Sequence, residues 1–140
     1  LRQDFTSKIS ICIRKDLPEW QQLNTVAHIA GHFAHKSGAG WVTGDYFETA
    51  DGLKIPRNSQ YGIAILRADA KDLRRVLRRA QDQSVEWMAY IREMVDLLDD
   101  AEIQDVLSKK LADDLEYLGI GLFGDREALQ QITKGMSAWR

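Results

Sequence analysis

The sequence predicts an α/β fold with a mainly parallel or mixed sheet. Three observations carry that reading. Strand-like apolar stretches alternate with helical ones along the chain. The first strand, Lys8–Arg14, is small or apolar on both faces, as in an interior strand covered on both sides. It runs through Lys15-Asp16-Leu17-Pro18 into a long helical stretch that reaches His35.

Residues 1–7 read as a short mixed arm, and the start at Leu1 rather than Met leaves room for an upstream segment. In the first strand Ile9, Ile11 and Ile13 share one face, and Ser10 and Cys12 the other. Asp16 is placed to cap the helix, and Pro18 suits its first turn, where a missing N–H costs nothing. Trp20, Leu23, Ala27, Ala30 and Ala34 recur at spacings of three and four, which predicts the helix's apolar face. Gly31 and the alanines would allow close packing on a sheet, and Ser37-Gly38-Ala39-Gly40 ends the helix.

Tyr46–Thr49 and Leu53–Ile55, either side of Asp51-Gly52, predict a small hairpin or a strand with a loop. Tyr61–Arg67 reads as a second buried strand. Asp69 caps the next helix, with Asp72 in the capping-box position and Leu73, Val76, Leu77 and Ala80 on the apolar face. Val85–Ile91 is a third strand. Asp99-Asp100 caps a helix with Ile103, Val106, Leu107 and Leu111 inward. Tyr117–Phe123 is the last strand. Gly124-Asp125 opens a closing helix that carries Ala128, Leu129 and Ile132 and stops at Gly135. One domain over residues 1–140 is expected, without repeat or linker.

A chain of 140 residues can bury a proper core, and 44% hydrophobic with 29% charged residues is ordinary for a globular protein. The net charge of -2 does not point to nucleic acid or an acidic membrane, so such a role would need a local basic face. No stretch approaches the ~18 apolar residues of a membrane span. Nothing in Leu1–Ser10 resembles a signal peptide's apolar core. No membrane partner and a cytoplasmic location are expected. The single Cys12 excludes an internal disulfide and reads as a small buried hydrophobe in a reducing compartment.

Four patterns bear on chemistry. His28, His32 and His35 fall within about 60° of arc on one helix, with Gln21 and Asn24 on the same stripe. They could converge on one ligand. A metal is not expected, because no cysteine or HExxH motif completes a ligand set. Gly119-Ile-Gly121-Leu-Phe-Gly124 matches the dinucleotide fingerprint in letters, but 16 residues remain after it, too few for the βαβ unit that the fingerprint needs. The two glycines instead leave one strand face bare for close packing, by the first helix or a ligand, and no cofactor is expected. Lys71, Arg74, Arg75, Arg78 and Arg79 span about 140° of the second helix, a face that could hold RNA phosphates or stand solvated. Aromatic residues are not interleaved with the charges, so RNA is not the favoured partner. No nucleophile-and-base pair or phosphate loop is visible.

Ile11–Leu17, Leu23–Ala30, Leu115–Gly124 and Ile132–Gly135 together resemble the domain-of-unknown-function 2000 family, over almost the whole chain from Lys8 to Arg140. That family looks like a divergent branch of the peptidyl-tRNA hydrolase 2 fold. The resemblance implies a three-layer architecture, a mixed sheet of about four strands between helix layers, and homodimers. Active hydrolases of that fold carry Gly-Lys-x-x-x-Gln-x-x-His on the first helix. Alignment on His28 puts Gln21 in place of the lysine and Thr25 in place of the glutamine. Ile91-Arg92-Glu93-Met94 replaces their Asp-x-Gly-x-Thr-Gln loop, with Glu93 as the available acid, and Leu115-Glu116-Tyr117 replaces the threonines before the last strand. Ester hydrolysis needs a positioned proton acceptor and oxyanion stabilisation, so these departures leave open whether the chain is an enzyme.

Three functional readings result. The first is a domain that binds a small molecule or nucleotide at the end of the first strand, in a pocket lined by Lys15, Asp16, Gln21, Asn24, His28 and Glu93. The second is a non-enzymatic homodimeric interaction domain, which exposed, clustered Trp20, Trp41 and Trp139 would favour. The third is a divergent peptidyl-tRNA hydrolase, which a basic second-helix face beside His28 would favour.

Overall fold

The computed structural model describes residues 2–140; Leu1, part of the expected arm, lies outside the described residues. In chain order the elements are β1 (Ser7–Arg14), α1 (Glu19–Ser37), β2 (Tyr46–Glu48), β3 (Lys54–Pro56), β4 (Gly62–Ala68), α2 (Ala70–Asp82), β5 (Glu86–Ile91), α3 (Arg92–Asp96), α4 (Asp100–Leu107), β6 (Tyr117–Asp125) and α5 (Arg126–Ile132). Single 3-10 turns lie at Gly38–Trp41 and Ala112–Asp114.

Four strands make one mixed sheet in the order β4-β1-β6-β5. β1 runs parallel to β4, while β6 runs antiparallel to both β1 and β5. β2 and β3 form a separate hairpin around Gly52, whose φ of 92° is the left-handed turn geometry that glycine tolerates. The alternation in β1 sorts the core into two layers. Ile9, Ile11 and Ile13 pack with Leu17, Ile29 and Phe33 beneath α1. Cys12 packs on the other face with Leu73, Val76, Leu129 and Ile132 from α2 and α5. The expected three-layer α/β architecture with a mixed four-stranded sheet is therefore present. Among the described residues, no helix is long and apolar enough to cross a membrane.

Local signals work as physical chemistry requires at several ends. The Asp69 side chain accepts from Asp72 N at 2.8 Å while Asp72 accepts from Asp69 N at 3.1 Å, a complete capping box on α2. Asp99 and Asp125 cap α4 and α5. Asp16 does not cap α1: Pro18 occupies that position, and Asp16 turns back to Arg14 at 2.7 Å. β4 is an edge strand, half open rather than buried, because α1 lies over β1, β6 and β5 and leaves it uncovered. Leu111 is not inward: α4 ends at Leu107, and Leu111 is exposed.

The buried face of α1 differs from the one its apolar spacing predicts. Gln21, Gln22, Thr25, Ile29 and Phe33 face the sheet, whereas Trp20 and Leu23 are each 62% exposed. Gly119 and Gly121 explain this. Thr25, Ile29 and Phe33 sit where side chains at those glycines would be, so α1 descends onto β6 at that point. The G-x-G-x-x-G letters thus serve helix-on-strand packing, with the first helix as the close neighbour.

Candidate functional site

β1, β4 and β5 all finish at the same end of the sheet, and α1 starts there. On the flank of α1 that faces β5, the His28 ring stacks on Tyr90, with centroids 4.6 Å apart and planes 17° apart. The Tyr90 hydroxyl donates to Asn24 Oδ1 at 3.2 Å. Burial pushes the Tyr90 phenol's pKa upward, so it stays a neutral donor. His28 and Tyr90 border a cleft of about 480 Å³, bounded on its far side by the α3–α4 excursion. Met88, Met94, Ile103 and Leu107 give the cleft an apolar lining, and Asp100 and Gln104 add polar groups on α4.

Of the six residues expected in one pocket, the structure brings His28 to the lining of this cleft, and Asn24 stands behind it, half-buried and held by the Tyr90 hydroxyl. Gln21 is buried, and its Nε2 has no hydrogen-bond partner among the described residues. Glu93 is buried on α3: its Oε2 accepts from Lys110 Nζ at 3.1 Å, and its Oε1 has no partner among the described residues. Asp16 is exposed and engaged by Arg14. Lys15 turns to a different pocket, toward Arg67 and Asp72. The six therefore do not line a single site. The histidine stripe also divides: His32 meets Phe33 edge-on, and His35 is exposed. Among the described residues, no group of three or more His, Cys, Asp or Glu is arranged to hold a metal ion.

The model of the family described as "Protein of unknown function (DUF2000)" matches residues 7–140. The chain belongs to the DUF2000 family. A solved structure of a protein of unknown function from Agrobacterium tumefaciens strain C58 is similar to it, with 27% identity and a TM-score of 0.84. The similarity covers 98% of this chain and 100% of that one. No functionally curated protein matches.

In this DUF2000 protein, several residues at the same end of the sheet had escaped sequence reasoning. Tyr90, Met88 and Met94 were hidden in or beside a strand that reads as continuously apolar. Glu116 binds two arginines, Arg14 at 2.9 Å and Arg92 at 3.1 Å, and so ties β1 to α3 just before β6 begins. Hydrogen bonds from Arg92 and Arg14 hold its carboxyl below the usual glutamate range. The basic face of α2 lies across the sheet from His28 and is partly engaged: Arg75 pairs with Asp72 at 2.7 Å, and Arg79 donates to the Ile132 carbonyl at 3.2 Å.

Proposed function

We propose that this DUF2000 protein is a binding domain for a small molecule or nucleotide, seated in the cleft between α1, β5 and the α3–α4 segment. The observation that carries the reading is the cleft itself, about 480 Å³ with the stacked His28 and Tyr90 along one wall. Ligand pockets commonly fall at roughly 300–1,000 Å³, apolar with a few convergent polar groups. Here the methionines and α4 aliphatics would hold an apolar or ring-shaped body. His28, Asp100 and Gln104 would orient its polar groups. His28 is exposed and so free to contact a ligand beyond its stack on Tyr90.

A thermal-shift screen of nucleotides and metabolites tests this, since a ligand of the folded state raises its apparent stability. Hits are then titrated against His28→Ala and Ile103→Arg. Each substitution is expected to weaken binding by about tenfold or more, as for one lost ligand contact or a blocked pocket. Hits that bind both variants as tightly as the unaltered chain would place the ligand elsewhere.

A second reading, the homodimeric interaction domain, draws on a different surface. Trp20 and Leu23 stand out from α1 beside an apolar hollow of about 190 Å³ walled by Val26, Ala27, Ile65 and Trp139. Such a patch on a chain this small suits a second copy. Trp41 is half-buried against Tyr61 and adds less. Sedimentation velocity over a concentration series is expected to show a dimer that Leu23→Glu converts to monomer. A monomer at every concentration removes this reading. The peptidyl-tRNA hydrolase reading finds no comparable support. Buried Gln21 supplies no cation, and the basic face of α2 is turned away from His28.

A further inference from the structure

β1 and β4 are neighbouring parallel strands, and the last rung between them is Lys15 N to Ala68 O at 2.8 Å. Beyond it the two chains part. β1 continues into α1 on one face of the sheet, and β4 into α2 on the other. In open α/β sheets, that parting opens a crevice outside the carboxyl ends of the strands, where ligands tend to bind. Here the crevice encloses about 210 Å³, and its lining is mainly polar. Lys15 comes from the loop after β1, Arg67 from β4, and Ser137 from the C-terminal segment that runs along the open edge of β4.

The charges of this crevice are unbalanced. Lys15 and Arg67 are exposed, and neither enters an ion pair among the described residues. Asp72 also lines the space, but both its oxygens are committed. Oδ1 accepts from Arg75 Nη2 at 2.7 Å, and Oδ2 accepts from Asp69 N. Asp69 in turn holds Asp72 N, and its carboxyl is kept low by that hydrogen bond and, to a smaller degree, by Lys15 nearby. Among the lining residues, two cations, Lys15 and Arg67, therefore face one carboxylate, Asp72, which Arg75 already pairs. The excess is positive and faces solvent.

We propose that this crevice is a second binding site, distinct from the cleft, that takes the phosphoryl group of a small molecule with Lys15 and Arg67 as its cationic contacts. An ammonium is a point charge for phosphate, and a guanidinium offers a planar fork of donors. Donors on three separate chain segments suit a tetrahedral anion, whose oxygens point in several directions, better than a planar carboxylate. The site does not rest on the cleft reading, because it lies at the opposite, β4, edge of the sheet from His28 and Tyr90.

The test is calorimetric titration of the full chain at low ionic strength with inorganic phosphate, and with succinate as a dianion whose charges sit on planar carboxylates. Saturable phosphate binding is expected, tighter than that of succinate. Lys15→Ala and Arg67→Ala are each expected to weaken it by about tenfold or more, the scale of one charge-assisted contact. Arg78→Ala, on the exposed face of α2, is expected to leave it unchanged. Lys15 and Arg67 are both exposed, so their variants should keep the urea midpoint of the unaltered chain. The proposal is overturned by absence of saturable binding, by succinate binding more tightly than phosphate, or by phosphate binding that survives both substitutions or is lost equally with Arg78→Ala.

Discussion

Gly121 leaves no room for a methyl group. A Cβ there would meet Ile29 Cγ2 and stand 2.7 Å from Phe33 Cε2, both fully or almost fully buried. Gly121→Ala is expected to destabilise the chain by about 1–3 kcal/mol, the range for overpacking a dense core. Adding Ile29→Ala should recover part of that loss, because the second change removes the atom that the first one meets. A double-mutant cycle on urea midpoints measures the coupling, and additive effects would mean that α1 does not rest on β6 in the way described. The bare face at Gly119 and Gly121 was legible in the sequence, since two glycines one residue apart in an apolar strand leave a gap. The residues that fill it were not legible. Gln22 and Thr25 look like surface residues, yet each finds a partner inside. Gln22 Nε2 donates to the Leu17 carbonyl at 2.7 Å, its Oε1 accepts from Trp139 Nε1, and the Thr25 hydroxyl donates to the Gln21 carbonyl. Once satisfied, a buried polar group costs little, and apolar periodicity then ceases to identify the inward face.

At the scale of elements, the strands and the three longer helices were readable because their signals are local. The capping box at Asp69 and Asp72 is one such signal, and the alternation of Ile9, Ile11 and Ile13 is another. The five-residue α3 carries too little periodicity to be seen, and the pairing of elements at the sheet's end depends on contacts distant in sequence. Glu116 is the clearest case, meeting Arg14 from 102 positions away. Its carboxyl is lowered from the usual value near 4.5 by Arg92 and then Arg14, while both arginines stay charged throughout. A lowered folded-state value means that the contribution is complete above the ordinary glutamate range and is lost as pH falls through the lowered value. The effect is modest, because Glu116 is 44% exposed and water screens the bracket. Urea midpoints measured from about pH 7 down to about pH 3 should fall less steeply for Glu116→Gln than for the unaltered chain, since the variant has no carboxylate to protonate. Identical slopes would show that the bracket adds nothing to folding.

Across the whole molecule, stability and binding surface are divided between different parts. β1 and β6 are the middle strands, buried almost end to end, and both core layers meet on them. α4 has no buried residue, and Leu98 in the linker before it is 99% exposed. The segment is held by Lys110 on Glu93, by the Tyr117 hydroxyl, which donates to the Ala112 carbonyl at 2.7 Å, and by Leu107 and Leu115 against the core. The amphipathic pattern of α4 is visible in the chain, but what lies opposite it is not. Its half-buried Ile103 borders the open cleft, while Leu107 lines the cleft and also packs against the edge of the core layer beneath α2 and α5. Regions with few buried apolar contacts open locally at low free energy, whereas central strands open only with global unfolding. Native-state hydrogen exchange should therefore rank amides of β1 and β6 slowest and those of α4 among the fastest. Lys110→Ala, which removes the tether, should speed exchange in α4 further without changing the slowest amides. If α4 instead exchanges as slowly as β6, its apolar face is packed shut, and the cleft beside His28 is core rather than a place for a ligand to enter.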